Sequence, residues 1–241
     1  MLENKKLIIF DLDGTLLESI GIWNQIDEEV IKAIGGKIEP DVDIGKRRDK
    51  ALARFSKDSD AYLEYCGYLG EIYGSKMSKK EIKDLRYNIA ERLLREEVDY
   101  KPHAEDVLKY LKAKGFRMVV GSTTNDYTIN VYKNENKNII SKAPFDEYFE
   151  GIYSKGFVQE LKPNPELHLK IMEKHNVKPE ECLIIEDSII GIKAGIGAGI
   201  DTVVMYDKYS DSSRDELNTL AKYRFDNFEE LLSAFKKELG E

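Results

Sequence analysis

Apolar residues along the chain fall into two alternating textures. Leu7–Phe10 is a short unbroken apolar run, the pattern of a strand covered on both faces of a parallel sheet. Similar runs recur at Arg117–Gly121, Glu150–Tyr153, Cys182–Glu186 and Thr202–Met205. Between them the spacing is helical. Val107, Leu108 and Leu111 precede Gly115, a residue suited to a helix stop. Leu167 and Ile171 form a second stripe, and Phe228, Leu231, Leu232 and Phe235 form a third at i, i+3, i+4, i+7. Strand and helix in alternation predict right-handed crossovers and a doubly wound α/β sandwich.

Leu17 to Tyr100 breaks this alternation. The stretch has no strand-like run but several helical stripes: Trp23, Ile26, Val30 and Ile34; Tyr62, Tyr65, Cys66, Leu69 and Tyr73; Ile82, Leu85, Ile89 and Leu93. An insertion of this length must fold on itself, so a helical subdomain is expected. Tyrosines at helical spacing are read as core rather than as a ligand-stacking face.

The bulk numbers narrow the function classes. With 241 residues, 41% hydrophobic and 34% charged, the chain is globular in composition. A net charge of -8 argues against nucleic acid as the partner, since phosphate backbones select basic surfaces. A small anionic substrate stays compatible, because a local cluster can overrule the global field. Cys66 and Cys182 form no metal-ligating pattern with the histidines, and Cys182 in a strand reads as a small hydrophobe. The run after Lys5-Lys6 is too short for a secretory segment, and no apolar stretch approaches a membrane span, so a cytoplasmic location is expected.

The candidate chemistry sits at the ends of the predicted strands, where open α/β sheets bind ligands. Asp11-Leu12-Asp13-Gly14-Thr15 follows the first run, with Gly14 permitting a turn. A calcium loop would need a glutamate at loop position twelve, where Ile22 stands. Two aspartates beside an apolar strand are costly to bury without a metal or a cationic partner. Ser122-Thr123-Thr124 follows the second run and offers hydroxyls before a helix, which suits either a phosphate cradle or a plain cap. Lys162 lies in Leu-Lys-Pro-Asn-Pro-Glu, held just before a helix by Pro163 and Pro165. Glu186-Asp187 ends a fourth run and makes a hard oxygen site suited to Mg²⁺.

Acid pair, hydroxyl, lysine and acid pair, in that order, make the chain resemble the haloacid dehalogenase superfamily, in the subgroup with a helical cap between the first and second motifs. The resemblance implies a Rossmann-like catalytic core of residues 1–16 and 101–241, with an all-helical cap domain at 17–100. It implies that Asp11 is the nucleophile and Asp13 the general acid/base, whose carbonyl also ligates Mg²⁺. Ser122, with Thr123 beside it, would bind phosphate, Lys162 would hold the phosphate and orient the nucleophile, and Asp187 and Glu186 would complete the metal site. The expected activity is a Mg²⁺-dependent phosphatase of a small phosphorylated metabolite acting through an aspartyl phosphate. A sugar-phosphate mutase of the β-phosphoglucomutase type is the alternative, and an inactive binding module on the same fold is the non-enzyme reading. Gly45-Lys46-Arg47-Arg48-Asp49 resembles the mutase subgroup's basic cap loop, which makes Arg47 and Arg48 candidate substrate contacts. No histidine lies between Asp13 and Tyr100, where that subgroup carries one early after the first motif. Substrate identity and oligomeric state are not legible.

Overall fold

The computed structural model describes residues 1–55 and 57–241. The elements, in chain order, are β1 (Leu7–Phe10), α1 (Ile20–Ala33), α2 (Ile44–Arg54), α3 (Ala61–Ile72), α4 (Lys79–Glu96), α5 (Ala104–Ala113), β2 (Arg117–Gly121), α6 (Asp126–Asn134), α7 (Lys137–Lys142), α8 (Phe145–Tyr148), β3 (Ile152–Tyr153), α9 (Glu166–His175), β4 (Cys182–Glu186), α10 (Ile189–Gly197), β5 (Asp201–Met205), α11 (Arg214–Leu220), β6 (Tyr223–Phe225) and α12 (Phe228–Glu238). They form two compact units, Met1–Ser19 with Val98–Glu241, and Ile20–Glu97.

The first unit is built on a sheet of order β3-β2-β1-β4-β5-β6 with every pairing parallel. Leu7, Ile8, Ile9 and Phe10 are fully buried because β1 has a strand on each side and packed layers on both faces. Each such side chain contributes roughly 1.5–3 kcal/mol relative to exposure. Leu7 and Ile9 share a core with Val119, Ile184 and, from α9, Leu167 and Ile171. Phe10, on the alternate face, meets Phe149 edge-to-face at 6.1 Å between ring centroids. Leu17 bridges to Tyr100 and the Lys101 N–H donates to the Leu16 carbonyl at 2.8 Å, which ties both chain crossings into this unit.

Five of the strands coincide with the apolar runs, though β3 is only Ile152–Tyr153. The sixth, Tyr223–Phe225, has no apolar run behind it. As an edge strand it pairs on one side only and leaves Arg224 exposed, so it needs none.

The second unit packs α1 to α4 around Val30, Ile31, Tyr65, Cys66, Leu69 and Ile82. Tyr65 and Leu69 are fully buried, so the tyrosine stripe is core at its centre. Ser78 and Glu81 form a reciprocal capping box at the start of α4. Asp27, with no exposed surface, accepts from Arg86 at 2.9 Å and from Arg48 at 3.1 Å. Both cysteines are buried and free. Among the described residues no helix is long and apolar enough to cross a membrane.

Candidate active site

The sheet register brings the motifs together. Phe10 pairs with Val120 on one side and Ile185 on the other. The residues just beyond, Asp11, Ser122, Glu186 and Asp187, therefore emerge at the same end of adjacent strands. This is also where the strand order reverses direction, the usual ligand crevice of an open parallel sheet. The Asp11 N–H donates to the Ile185 carbonyl at 3.0 Å and fixes that level.

Lys162 links the motifs. It is 7% exposed, far from the usual surface lysine, and its Nζ donates to Asp11 Oδ1 and to Glu186 Oε1, each at 2.7 Å. Burial works against its charge, but the carboxylates of Asp11 and Glu186 outweigh that and raise its pKa. The second Glu186 oxygen accepts from the Asp187 N–H at 2.8 Å and from the N–H and hydroxyl of Ser188, both at 2.9 Å. Glu186 thus spends both oxygens on protein donors.

Gly191 makes this possible. A Cβ there would stand 1.6 Å from Glu186 Oε1. Alanine favours a helix over glycine by about 1 kcal/mol, but a side chain driven off its site costs roughly 1–3 kcal/mol. Gly191→Ala is expected to lower the denaturation midpoint and to reduce turnover, because Glu186 must release Lys162; a chemical-denaturation curve and an initial-rate assay check both.

Asp187 accepts from the Thr15 hydroxyl at 2.6 Å, and Gly14, at φ +87°, leaves room for its other oxygen. Oxygens of Asp11, Glu186 and Asp187 lie within 4.8 Å of one another. At that spacing each like-charge pair repels by roughly 3–4 kcal/mol with an effective dielectric near 20. Among the described residues Lys162 pairs with Asp11 and Glu186 and no cation pairs with Asp187. Burial, with the neighbouring carboxylates Glu186 and Asp11, holds the Asp187 carboxyl well above its usual range. Burial likewise pushes Asp11 up to about 7, against the pull of Lys162. A buried set of hard oxygen donors short of positive charge fits a divalent cation such as Mg²⁺, with Asp11 and Asp187 as the residues best able to hold it.

Asp13 belongs to a second network. Its Oδ1 accepts from the Tyr132 hydroxyl at 2.9 Å and its Oδ2 from the Thr124 hydroxyl, which also meets Ser122 Oγ at 2.9 Å. Thr123 is half-buried beside them. Tyr132 lies outside every motif read from the sequence. Thr15 and Thr124 lie inside recognised motifs, whereas Tyr132 reaches Asp13 only through the fold. His168 on α9 is buried, and burial with the Lys162 charge pulls its pKa down to about 3, so its ring is neutral.

Arg47 and Arg48 belong to the helical unit. Arg48 is committed to Asp27 and to the side-chain Oδ1 of Asn24, at 3.1 Å each. Arg47 donates to the Tyr73 hydroxyl at 2.7 Å, and its Nε and Nη2 are buried with no partner among the described residues.

The sequence description of haloacid dehalogenase-like hydrolases matches residues 5–199. The chain belongs to that family. This hydrolase is 30% identical over 204 residues to YhcW of Bacillus subtilis, a candidate phosphatase, covering 84% of each chain. It is 24% identical over 196 residues to a phosphorylated carbohydrates phosphatase of Thermotoga maritima, covering 81% of this chain and 82% of that one. Its fold superposes on a candidate β-phosphoglucomutase of Thermotoga maritima with a TM-score of 0.77 at 22% identity, over 96% of this chain and 99% of the other.

Proposed function

We propose that this hydrolase is a Mg²⁺-dependent phosphatase of a small phosphorylated metabolite, such as a sugar phosphate, acting through an aspartyl phosphate on Asp11. The observation that carries the reading is Lys162, buried and bonded to both Asp11 and Glu186 at 2.7 Å beside a metal-competent Asp187. The phosphatase names of the relatives from Bacillus subtilis and Thermotoga maritima point the same way.

The chain's own residues divide the work. The Asp11 carboxylate attacks phosphorus; an oxygen–phosphorus bond forms to Asp11 as the ester bond breaks. Asp13 donates a proton to the leaving oxygen, aimed by Tyr132 and Thr124. The Ser122 hydroxyl, with Thr123 beside it, accommodates the phosphoryl oxygens. Lys162 orients Asp11 and offsets charge as it shifts in the transition state. A water molecule then attacks the phosphorus of the aspartyl phosphate, Asp13 takes its proton, and the bond between phosphorus and the Asp11 oxygen breaks, which frees inorganic phosphate and restores the Asp11 carboxylate. Asp11, Asp187 and the Asp13 carbonyl, with Glu186 alongside, would hold Mg²⁺, which would supply positive charge to offset the repulsion between a phosphate dianion and a carboxylate. Asp187→Ala is expected to raise the half-saturating Mg²⁺ concentration by roughly tenfold or more, read from rates across a Mg²⁺ titration.

A mutase would share every step up to the aspartyl phosphate and then pass the phosphoryl group to a second sugar hydroxyl. The absence of a histidine between Asp13 and Tyr100 favours water as the acceptor. Product analysis separates the two, using a hexose 1-phosphate with a trace of the bisphosphate. The phosphatase releases inorganic phosphate in step with substrate loss. Accumulation of hexose 6-phosphate without phosphate release makes the chain a mutase.

A further inference from the structure

The helical unit holds a group of cations that the proposed chemistry does not use. Lys46, Lys50 and Arg54 stand at i, i+4 and i+8 of α2 and so form one stripe along it. With Arg47, and with Phe55 and Tyr68 as half-buried aromatic walls, they line a cavity of about 350 Å³. That volume suits a small molecule. Arg48 is not part of it, being held by Asp27 and Asn24.

The charges in this cavity are unbalanced. Four cationic side chains line it and no acid does, among the described residues. Lys46 has a solvent-exposed partner in Asp43 at 3.4 Å, whereas Arg47, Lys50 and Arg54 have no ion pair among the described residues. Arg47 adds a sharper signal. Its guanidinium is fixed by the Tyr73 hydroxyl at 2.7 Å and lies 5.5 Å from that ring's centre, yet Nε and Nη2 are buried without an acceptor. Buried donors of a charged group are nearly always satisfied, so an unpaired pair marks a place where an acceptor is missing. Adjacent guanidinium donors match the oxygens of a phosphate or phosphonate group better than a single-point acceptor. Arg54 lies 5.4 Å from the Phe55 ring centre, which holds a second guanidinium against the aromatic wall.

We infer that the helical unit carries an anion-binding site of its own, formed by Arg47, Lys50 and Arg54 with Phe55 and Tyr68, which takes a small molecule bearing a phosphate-type dianion and a flat apolar body. All of its residues lie within Ile20–Glu97. The dianion answers the stripe of cations, with the orphaned Arg47 donors in the cavity's wall, and the apolar body covers the rings.

The test is calorimetric titration of the full-length protein with phenylphosphonate in EDTA. Its carbon–phosphorus bond is not a phosphatase substrate, and EDTA removes the cation that would draw a dianion to the strand-end site. The readout is binding, so it is independent of the phosphatase reading. Saturable binding is expected for the wild type and for Asp11→Asn alike. Lys50→Glu and Arg54→Glu, both at exposed positions, should each weaken it by roughly tenfold or more, and Arg47→Ala should do the same or worse. Circular dichroism checks the fold of each variant, and the two surface substitutions decide the matter if Arg47→Ala misfolds. No saturable binding to the wild type, binding unchanged in both Lys50→Glu and Arg54→Glu, or binding lost in Asp11→Asn would each overturn the site.

Discussion

Replacing Asp11 by asparagine is expected to abolish turnover while leaving a folded protein that, without metal, resists heat better than the wild type at neutral pH. The amide has the shape of the carboxyl but cannot attack phosphorus, so a loss on the order of 10⁴-fold or more in kcat is expected. The stability change follows from the same group. Burial raises the Asp11 pKa from 3.8 to about 7, so the fold disfavours its charge. A carboxyl with a raised folded-state pKa contributes stability that is complete below its unfolded value and is lost as pH climbs through the folded one. Asparagine never ionises and escapes that loss. The shift corresponds to at most about 4 kcal/mol. At about 2–4 °C per kcal/mol for a chain of this size, the melting-temperature difference, variant minus wild type, should grow by several degrees from pH 4 to pH 8 in EDTA. A difference that stays flat across that range would show that Asp11 is ionised without cost and that the charge imbalance described for the site is wrong.

Lys162→Met is expected to produce the largest loss of stability from one substitution at the site. Methionine fills much of the lysine's volume, so the packing of the stem is largely kept and the charge is what goes. Asp11 and Glu186 are then left buried without their shared counter-ion. Breaking a buried pair by removing one partner costs roughly 3–5 kcal/mol. That outweighs the desolvation saved by not burying an ammonium. The loss, measured by denaturant unfolding in EDTA, should be greatest above pH 7 and smaller near pH 5, where Asp11 is protonated. The same variant should lose on the order of 10²–10³ in kcat with Mg²⁺ present, the scale of removing one donor to transition-state charge. If stability is unchanged at pH 8, Lys162 is not the counter-charge that keeps the carboxylates together.

How much of this was legible depended on whether local sequence or distant packing decided each feature. β1, β2, β4 and β5 were readable because strands covered on both faces must be apolar throughout, and no helix of that length would be. β6 was not, since an edge strand can be Tyr-Arg-Phe with the arginine in solvent. The helical unit was visible through its stripes, and Tyr65 shows why tyrosines at helical spacing favour core. At the site, Asp11, Lys162, Glu186 and Asp187 were suggested by residue types at strand ends, and the register of β1 against β2 and β4 explains why those ends meet. Their electrostatic coupling was not readable, because it depends on distances across the sheet. Tyr132 illustrates the remaining gap. It acts through its contact to Asp13, a residue brought near only by the fold. Arg48 illustrates the reverse: a basic loop suggested a substrate contact, and the structure spends that guanidinium on Asp27.

The covalent intermediate is the central claim, and its direct test is acid-quenched trapping during turnover. The enzyme, loaded with Mg²⁺ and a good phosphate monoester, is stopped within its first turnovers, digested under conditions that preserve acyl phosphates, and mapped by mass spectrometry. The expected result is a phosphoryl group on the peptide containing Asp11, formed no more slowly than phosphate is released and absent from Asp11→Asn. Rapid phosphate release with no phosphorylated peptide at any quench time, or a phosphoryl group on another residue that persists in Asp11→Asn, would contradict the account.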